Sequence, residues 1–452
     1  MNFQERLLNA IPGGAHTYSR GHDQYPLNAP HILERGKGVY IFDQNGQNYL
    51  DYGMGLRSVN LGYAEDAIDQ AAIKQIRNGN NLTRPSLIEL EAAELMIDLI
   101  DSVDMVKFTK NGSSAVSAAV KLARAYTGRD LIARCAQHPF FSYDDWFISS
   151  TPMNRGVSQD STNKTKTFDF NDISSLRKLI DQYPDQIACV VLEPATLVCP
   201  ATENSQSSCC SMSSCSRIFP NCAGNFLQEI QTLCKTKGIV FILDEMITGF
   251  RWSLHGAQAM FDVKPDLSTF GKAMANGFSV ACVAGKREIM SLGSIEKHGA
   301  ERVFLLSTTH GAEMGALGAF VATVEYMKEH DVINHLWLHG EKLVKMIRRK
   351  ALDFGISESF KVEGPVCSPN YMTLGEKKEN SLPLRTLFSQ EMIRNGVLMP
   401  WIALAYRHQD ESLEITEKAI DATFKVYADA LSFGVDNYLI GPSIKPVFRK
   451  YN

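Results

Sequence analysis

Residues 239–277 read IVFILDEMITGFRWSLHGAQAMFDVKPDLSTFGKAMANG. The apolar run that opens this stretch and stops at Asp244 has the composition of a strand buried on both faces of a parallel sheet. A second strand-like run, DLSTF (266–270), stops at Gly271-Lys272. An acid and a lysine are therefore predicted at the ends of neighbouring buried strands. A structural salt bridge is one reading of the pair, although desolvation offsets much of the attraction between buried charges.

The same pattern extends outward. IACVVLEP (187–194) is a second continuous apolar run ending in an acid, Glu193, and NFLQEIQTLCKTKG (225–238) supplies a helix before the strand at 239. Upstream, MVKFTK (105–110) leads through NGSS into AVSAAVKLARAYTG and then LIAR (131–134). Ala115, Ala118, Ala119, Leu122 and Ala123 fall on one face of that helix, and Gly128 is placed to stop it. Strands alternating with helices predict an α/β fold with a mostly parallel central sheet flanked by helices. The acids and the lysine then face the crevice at the carboxyl ends of the strands, where ligands of such sheets bind. GVYIFDQNGQNYLDY (38–52) predicts a β-hairpin turning at Asn45-Gly46. INHLWLHGEKLVKMIRRKAL (333–352) predicts a helix beyond the sheet. The expected organisation is a large domain over 51–330 and a smaller α+β domain built from 1–50 and 331–452.

The chain has 452 residues, 44% hydrophobic and 21% charged, with a formal net charge of -4. This is a globular composition without a basic block, so neither nucleic acid nor an anionic membrane is an expected partner. MNFQERLLNAIPGG lacks the apolar core of a signal peptide, and no apolar run has bilayer-spanning length; a cytoplasmic protein is expected. Ten cysteines in such a chain are expected to be thiols. Cys135, Cys189, Cys234, Cys282 and Cys367 sit among apolar residues as small buried hydrophobes. The other five lie between Cys199 and Cys222, around NSQSSCCSMSSCS (204–216). That segment has no C-x-x-C pair and no nearby histidine, so no metal site is assigned, and it is expected to be a Ser-rich insertion with exposed thiols.

An acid and a lysine deep in one crevice suit pyridoxal 5'-phosphate (PLP). Its aldehyde condenses with a lysine amine, and a carboxylate keeps its ring nitrogen protonated. KNGSSA (110–115) offers a phosphate cup: Gly112 admits close backbone approach, Ser113 a hydroxyl, and the helix start its free N–H groups. FILDEMITGFR followed by STFGKAMANG resembles the class III aminotransferases of PLP fold type I. Among them the likeness is to glutamate-1-semialdehyde 2,1-aminomutase and the aminotransferases of polysaccharide clusters. IPGGAHTYSRG (11–21), KNGSSAVSAAVKLARAYTGRD (110–130) and STTHGAEMGALGAF (307–320) carry the resemblance over nearly the whole chain.

The resemblance implies that Lys272 holds PLP as a Schiff base and acts as general base, while Asp244 pairs with the ring nitrogen. It implies that Gly112 and Ser113 bind the phosphate, and that Thr308 (or Thr309, one residue on) reaches it from the neighbouring subunit of a homodimer with composite sites. Phe140 stands where the family stacks a ring on the cofactor, Met246 where an aliphatic residue packs its other face, and Glu193 matches a glutamate near the cofactor. Arg20 matches an arginine that meets a substrate carboxylate. Three stretches depart from the aminomutase: AMANGFSVACVAG (273–285), GMGLRSVNLGY (53–63) in place of a tryptophan-bearing segment, and MPWIALAYRHQDES (399–412) without its acid. The expected reaction is therefore amino transfer from a small-molecule amino donor to a carbonyl acceptor. Intramolecular 2,1-transfer is the runner-up, and a non-catalytic binding protein on the same scaffold is a third reading.

Overall fold

The structure, a computed structural model, describes residues 2–195, 198, 200, 225–296 and 298–452. The expectation of an exposed insertion at 204–216 lies outside the described residues. The chain divides into two compact units: one of Arg57–Val59 and Asp66–Ile333, the other of Met1–Leu56, Asn60–Glu65 and Asn334–Asn452.

The larger unit is built on a seven-stranded sheet. Its strands are β1 (Met105–Thr109), β2 (Leu131–Cys135), β3 (Thr165–Phe168), β4 (Ile187–Leu192), β5 (Val240–Asp244), β6 (Leu267–Phe270) and β7 (Ala281–Gly285), in spatial order β1-β7-β6-β5-β4-β2-β3. Neighbours from β3 to β6 pair in parallel; β7 alone runs antiparallel to both of its neighbours. Every residue of β4 and β5 is buried, which is why both read as unbroken apolar runs and not as alternation.

Helix α1 (Gly112–Thr127) follows β1. The Asn111 side chain accepts the Ser114 N–H at its start, and Gly128, at φ +67°, ends it in the left-handed conformation glycine tolerates. Ala115, Ala118, Ala119, Leu122 and Ala123 are all buried, as their spacing predicts. Helix α2 (Phe226–Lys237) carries a reciprocal cap between Asn225 and Gln228 and leads through Gly238 into β5. At the amino ends of the strands the Arg129 guanidinium donates from Nη1 to the carbonyls of Ile187 (3.2 Å), Lys237 and Gly238 (both 3.1 Å). One side chain thus ties the start of β4 to the end of α2. Cys135, Cys189, Cys234, Cys282 and Cys367 are buried free thiols.

The smaller unit has a sheet of Leu33–Lys37, Tyr40–Asp43, Asn48–Asp51 and Val397–Leu398. Tyr40 pairs with Leu50 across the predicted hairpin, whose turn is held by Asp43 Oδ1 accepting from the Asn45 and Gln47 N–H groups. The N-terminal segment runs on to Leu56, past the expected 50, and residues 60–65 return to it. The cause is a long-range pairing: Gly38 and Tyr63 exchange both backbone hydrogen bonds, at 2.9 and 2.7 Å. Arg407 then clamps Glu65 with two hydrogen bonds.

Three histidines are buried among the described residues and burial lowers all three, His339 to about 4. His408 stacks on Tyr52 at 4.6 Å, accepts the Ala405 N–H at Nδ1, and is pushed down to about 3 by burial. In the larger unit His138 is pushed down to about 3 by the same cause. A histidine lowered in the folded state stabilises the fold fully above its unfolded value near 6.5. That contribution drains away as pH falls towards the folded value, because the unfolded chain then binds more protons. Each such group steepens the loss by up to about 1.4 kcal/mol per pH unit. The urea midpoint is expected to drop between pH 7 and pH 5, and less steeply in His408→Asn, whose amide oxygen can still accept from Ala405. Equal slopes in the two proteins would remove His408 from this account.

Candidate active site

The parallel pairing of β5 with β6 sets Asp244 opposite Thr269, three residues before Lys272. Pairing of β4 with β5 sets Leu192 opposite Leu243, so Glu193 and Asp244 are the next residues along adjacent strands. Three ionisable groups therefore meet at the carboxyl ends of β4, β5 and β6. Asp244 is buried, and its Oδ1 accepts from the Met246 N–H (2.9 Å) and the Thr269 hydroxyl (3.1 Å). Both bonds fall on one oxygen, and Oδ2 takes no hydrogen bond among the described residues. Burial pushes the Asp244 carboxyl up to about 6 against these two bonds and the Lys272 charge, which favour its ionised form. Burial likewise pushes Glu193 up to about 8, with the nearby Asp244 adding to it.

Lys272 stands at φ +40°, in the left-handed region, directly after Gly271. Burial lowers the pKa of its amine; Arg57 and Arg251 act in the same direction, and Asp244 and Glu193 oppose them. His138 accepts the Glu193 N–H at Nδ1 (3.0 Å), which assigns the ring proton to Nε2. That Nε2 is buried with no hydrogen-bond partner among the described residues.

The start of α1 lies beside this cluster. A Cβ on Gly112 would stand 2.8 Å from the Met246 sulfur, and one on Gly271 would stand 2.7 Å from the same atom. Met246 thus fills the gap between the helix start and the residue before Lys272, a space only two glycines leave open. The Ser113 hydroxyl accepts the Tyr143 N–H (3.2 Å), and Ser142 donates to the Ser113 carbonyl (3.3 Å). These bonds lay the 140–143 loop over the helix start. Phe140 in that loop keeps 47% of its surface exposed and meets Phe147 edge-on at 5.7 Å.

Two expected residues are not drawn into this cluster by any contact among the described residues. Thr308 is on an exposed turn, its carbonyl accepting from Gly311 (3.1 Å). Arg20 is exposed in the other unit, where its charge acts on Tyr25 and Tyr63. Three residues of the cluster were not singled out from sequence. Thr269 sits within a fully buried strand, where alternation carries no signal. His138 and Arg57 are brought in by loops. A signal for Arg57 was present in GMGLRSV, where a lone cation sits among apolar and small residues, but nothing local shows what it faces.

The sheet, its helices and the acid–lysine pair define a large domain of PLP fold type I. The profile of the family described as aminotransferase class-III matches residues 20–197 and 219–402, and the chain belongs to that family. The break in the match, 198–218, contains the Cys- and Ser-rich segment. A glutamate-1-semialdehyde 2,1-aminomutase of Francisella philomiragia is 28% identical over 447 residues, covering 94% of this chain and 97% of the relative. A 3-aminobutyryl-CoA aminotransferase of Cloacimonas acidaminovorans is 30% identical over 432 residues, covering 93% and 95%. Among solved structures, the FumI protein of Sphingopyxis sp. MTA144, in its PLP internal aldimine form, superposes with a TM-score of 0.81 at 23% identity. That match covers 95% of this chain and 97% of the other.

The packing of Met246 predicts a coupled pair. Gly112→Ala is expected to cost about 1–3 kcal/mol through overpacking against the sulfur. Adding Met246→Ala should return most of that loss, so the double mutant should be more stable than the sum of the single effects. Thermal melting of the four proteins measures this, and simple additivity would contradict the packing described.

Proposed function

We propose that the chain is a PLP-dependent aminotransferase that moves an amino group from a small-molecule amino donor to a carbonyl acceptor. The observation that carries the reading is the placement of Asp244 and Lys272 at adjacent parallel strand ends, with the α1 start beside them. The residues fit the cofactor: Asp244 has an oxygen to spare for a ring N–H, Lys272 an amine, and Gly112 with Ser113 a cup for the phosphate. When bound, PLP supplies a carbonyl that condenses with amines and a protonated ring that accepts electrons from the substrate carbon.

The protein's own groups then have distinct tasks. Asp244 holds the proton on the ring nitrogen, and Thr269 with the Met246 N–H fixes the orientation of its carboxylate. Lys272 carries a proton from the substrate carbon to the cofactor carbon. Burial supports this by favouring the neutral amine, the form that can act as a base. Phe140 and Met246 are assigned to the two faces of the ring, and Glu193 to the same end of the site. Thr308, exposed in its own chain, is assigned to the phosphate of a neighbouring subunit, which makes the working unit a homodimer with composite sites. Arg20 is assigned to a substrate carboxylate. No helix among the described residues is long and apolar enough to cross a membrane. A cytoplasmic location is proposed with the function.

The competing reading is intramolecular exchange of the aminomutase type, and the relative of that name supports it. The deciding experiment is titration of the PLP-loaded protein with candidate amino donors, followed by visible absorbance. An aminotransferase is expected to complete a half-reaction with the donor alone and to turn over only when a second carbonyl compound is added. Isomerisation of an amino-aldehyde without a second substrate would favour the aminomutase. Lys272→Ala is expected to lose the absorbance of lysine-bound PLP and to slow the half-reaction by at least about 10³-fold. Asp244→Asn should slow it by roughly 10²–10⁴-fold. An unchanged spectrum in Lys272→Ala would refute the assignment of the lysine.

A further inference from the structure

The strand that leads into the glycine-serine turn also holds a second turn, distant in sequence. Lys110 is the first residue after β1, and its ammonium pairs with the Glu313 carboxylate at 2.9 Å. The lysine side chain is 23% exposed and the glutamate 30%, so water screens this pair less than one on the open surface. The Lys110 carbonyl accepts from the Ser279 hydroxyl (2.6 Å), which fixes its backbone as well. Glu313 ends the turn 308–313 and immediately precedes helix α3 (Met314–Glu329). A Cβ on Gly311 would collide with the Thr308 hydroxyl oxygen and stand 3.5 Å from the Phe108 carbonyl oxygen, so the turn lies against the end of β1. Asn80 holds the far side. Its carbonyl accepts the Met314 N–H (2.7 Å) and its side chain the Gly315 N–H (3.0 Å). All of these residues belong to the larger unit.

Residues 301–307 form no helix or strand, and Thr308 is exposed. A hydroxyl on such a segment binds weakly unless the segment is ordered beforehand, because binding must otherwise supply the ordering. We infer that Lys110 and Glu313 are positioning residues for the cofactor phosphate, their ion pair holding the turn that presents Thr308 to a neighbouring subunit. The inference rests on the proposed role of Thr308 in a homodimer. The end of β1 then serves two sites. Residues 111–113 cap α1 and line the cup of their own chain, while Lys110, one position earlier, braces the turn lent to the neighbour. A rival role for Lys110 is direct attraction of the phosphate in its own cup. The two roles differ in sign at Glu313: removing its charge loosens the turn in the first, but in the second it releases a cation and tightens phosphate binding.

The test strips the full-length protein of cofactor and titrates it with PLP or with pyridoxal, which keeps the aldehyde and the ring but has no phosphate. Visible absorbance of the lysine-bound aldehyde gives both affinities. Thr308→Val is expected to weaken PLP binding about tenfold, the loss of one hydrogen bond to a charged group, with pyridoxal little changed. Glu313→Gln should weaken PLP by about three- to tenfold, again sparing pyridoxal, and should add little more in a protein that already carries Thr308→Val. Reversing both charges, Lys110→Glu with Glu313→Lys, should bind PLP better than either reversal alone. Unchanged or tighter PLP binding in Glu313→Gln, an equal loss for pyridoxal, or full additivity with Thr308→Val would overturn the inference. A Thr308→Val protein that binds PLP as tightly as the parent would instead sink the reading on which the inference rests.

Discussion

The parallel pairing that sets Asp244 opposite Thr269 is the contact on which the rest of the site depends. Taking a carboxylate and an amine out of water is unfavourable, and their mutual attraction returns only part of the cost. Here the carboxylate is braced on one oxygen by a backbone N–H and a threonine hydroxyl, so its orientation does not depend on the lysine. The lysine is held by its backbone, in a left-handed turn after a glycine that leaves no room for a side chain beside Met246. Each partner is positioned separately, and a group that fits between them need not hold them apart or pull them together.

Around that pair the larger unit arranges charge with little waste. Burial raises the acids Glu193 and Asp244 and lowers the lysine, so all three shift towards their neutral forms. A ligand carrying its own charges then enters a site whose groups can still exchange protons with it. The neighbouring His138 is kept neutral by burial, and its Nδ1 steadies the Glu193 backbone. The loop at 140–143 is tied to the start of α1 through Ser113 and Ser142, which couples the aromatic residue at 140 to the glycine-serine turn.

Much of this was legible in the sequence, for definable reasons. Asp244, Glu193 and Lys272 terminate apolar runs, and in a parallel sheet such ends converge on one edge. The face of α1 and its glycine stop followed from helical spacing, and the Asn45-Gly46 hairpin from turn chemistry. Thr269 was hidden because a strand buried on both sides has no polar alternation to reveal which residues face a ligand. Arg57 was hidden because its position depends on a left-handed backbone and on an anchor 194 residues away. The return of 60–65 to the smaller unit rests on the Gly38–Tyr63 pairing, a tertiary contact with no local signature.

Arg129 gives the sheet a second character at the opposite end. Where the strands finish, the larger unit gathers groups whose charge burial opposes; where they begin, one guanidinium donates to three carbonyls. The two ends can therefore drift independently over evolutionary time. Relatives could exchange loops at the carboxyl edge to change what is recognised while the amino edge keeps the framework closed. A protein engineer gains the same separation: robustness can be sought around Arg129, and changes of recognition in the loops at the carboxyl edge, with the strands between them left alone.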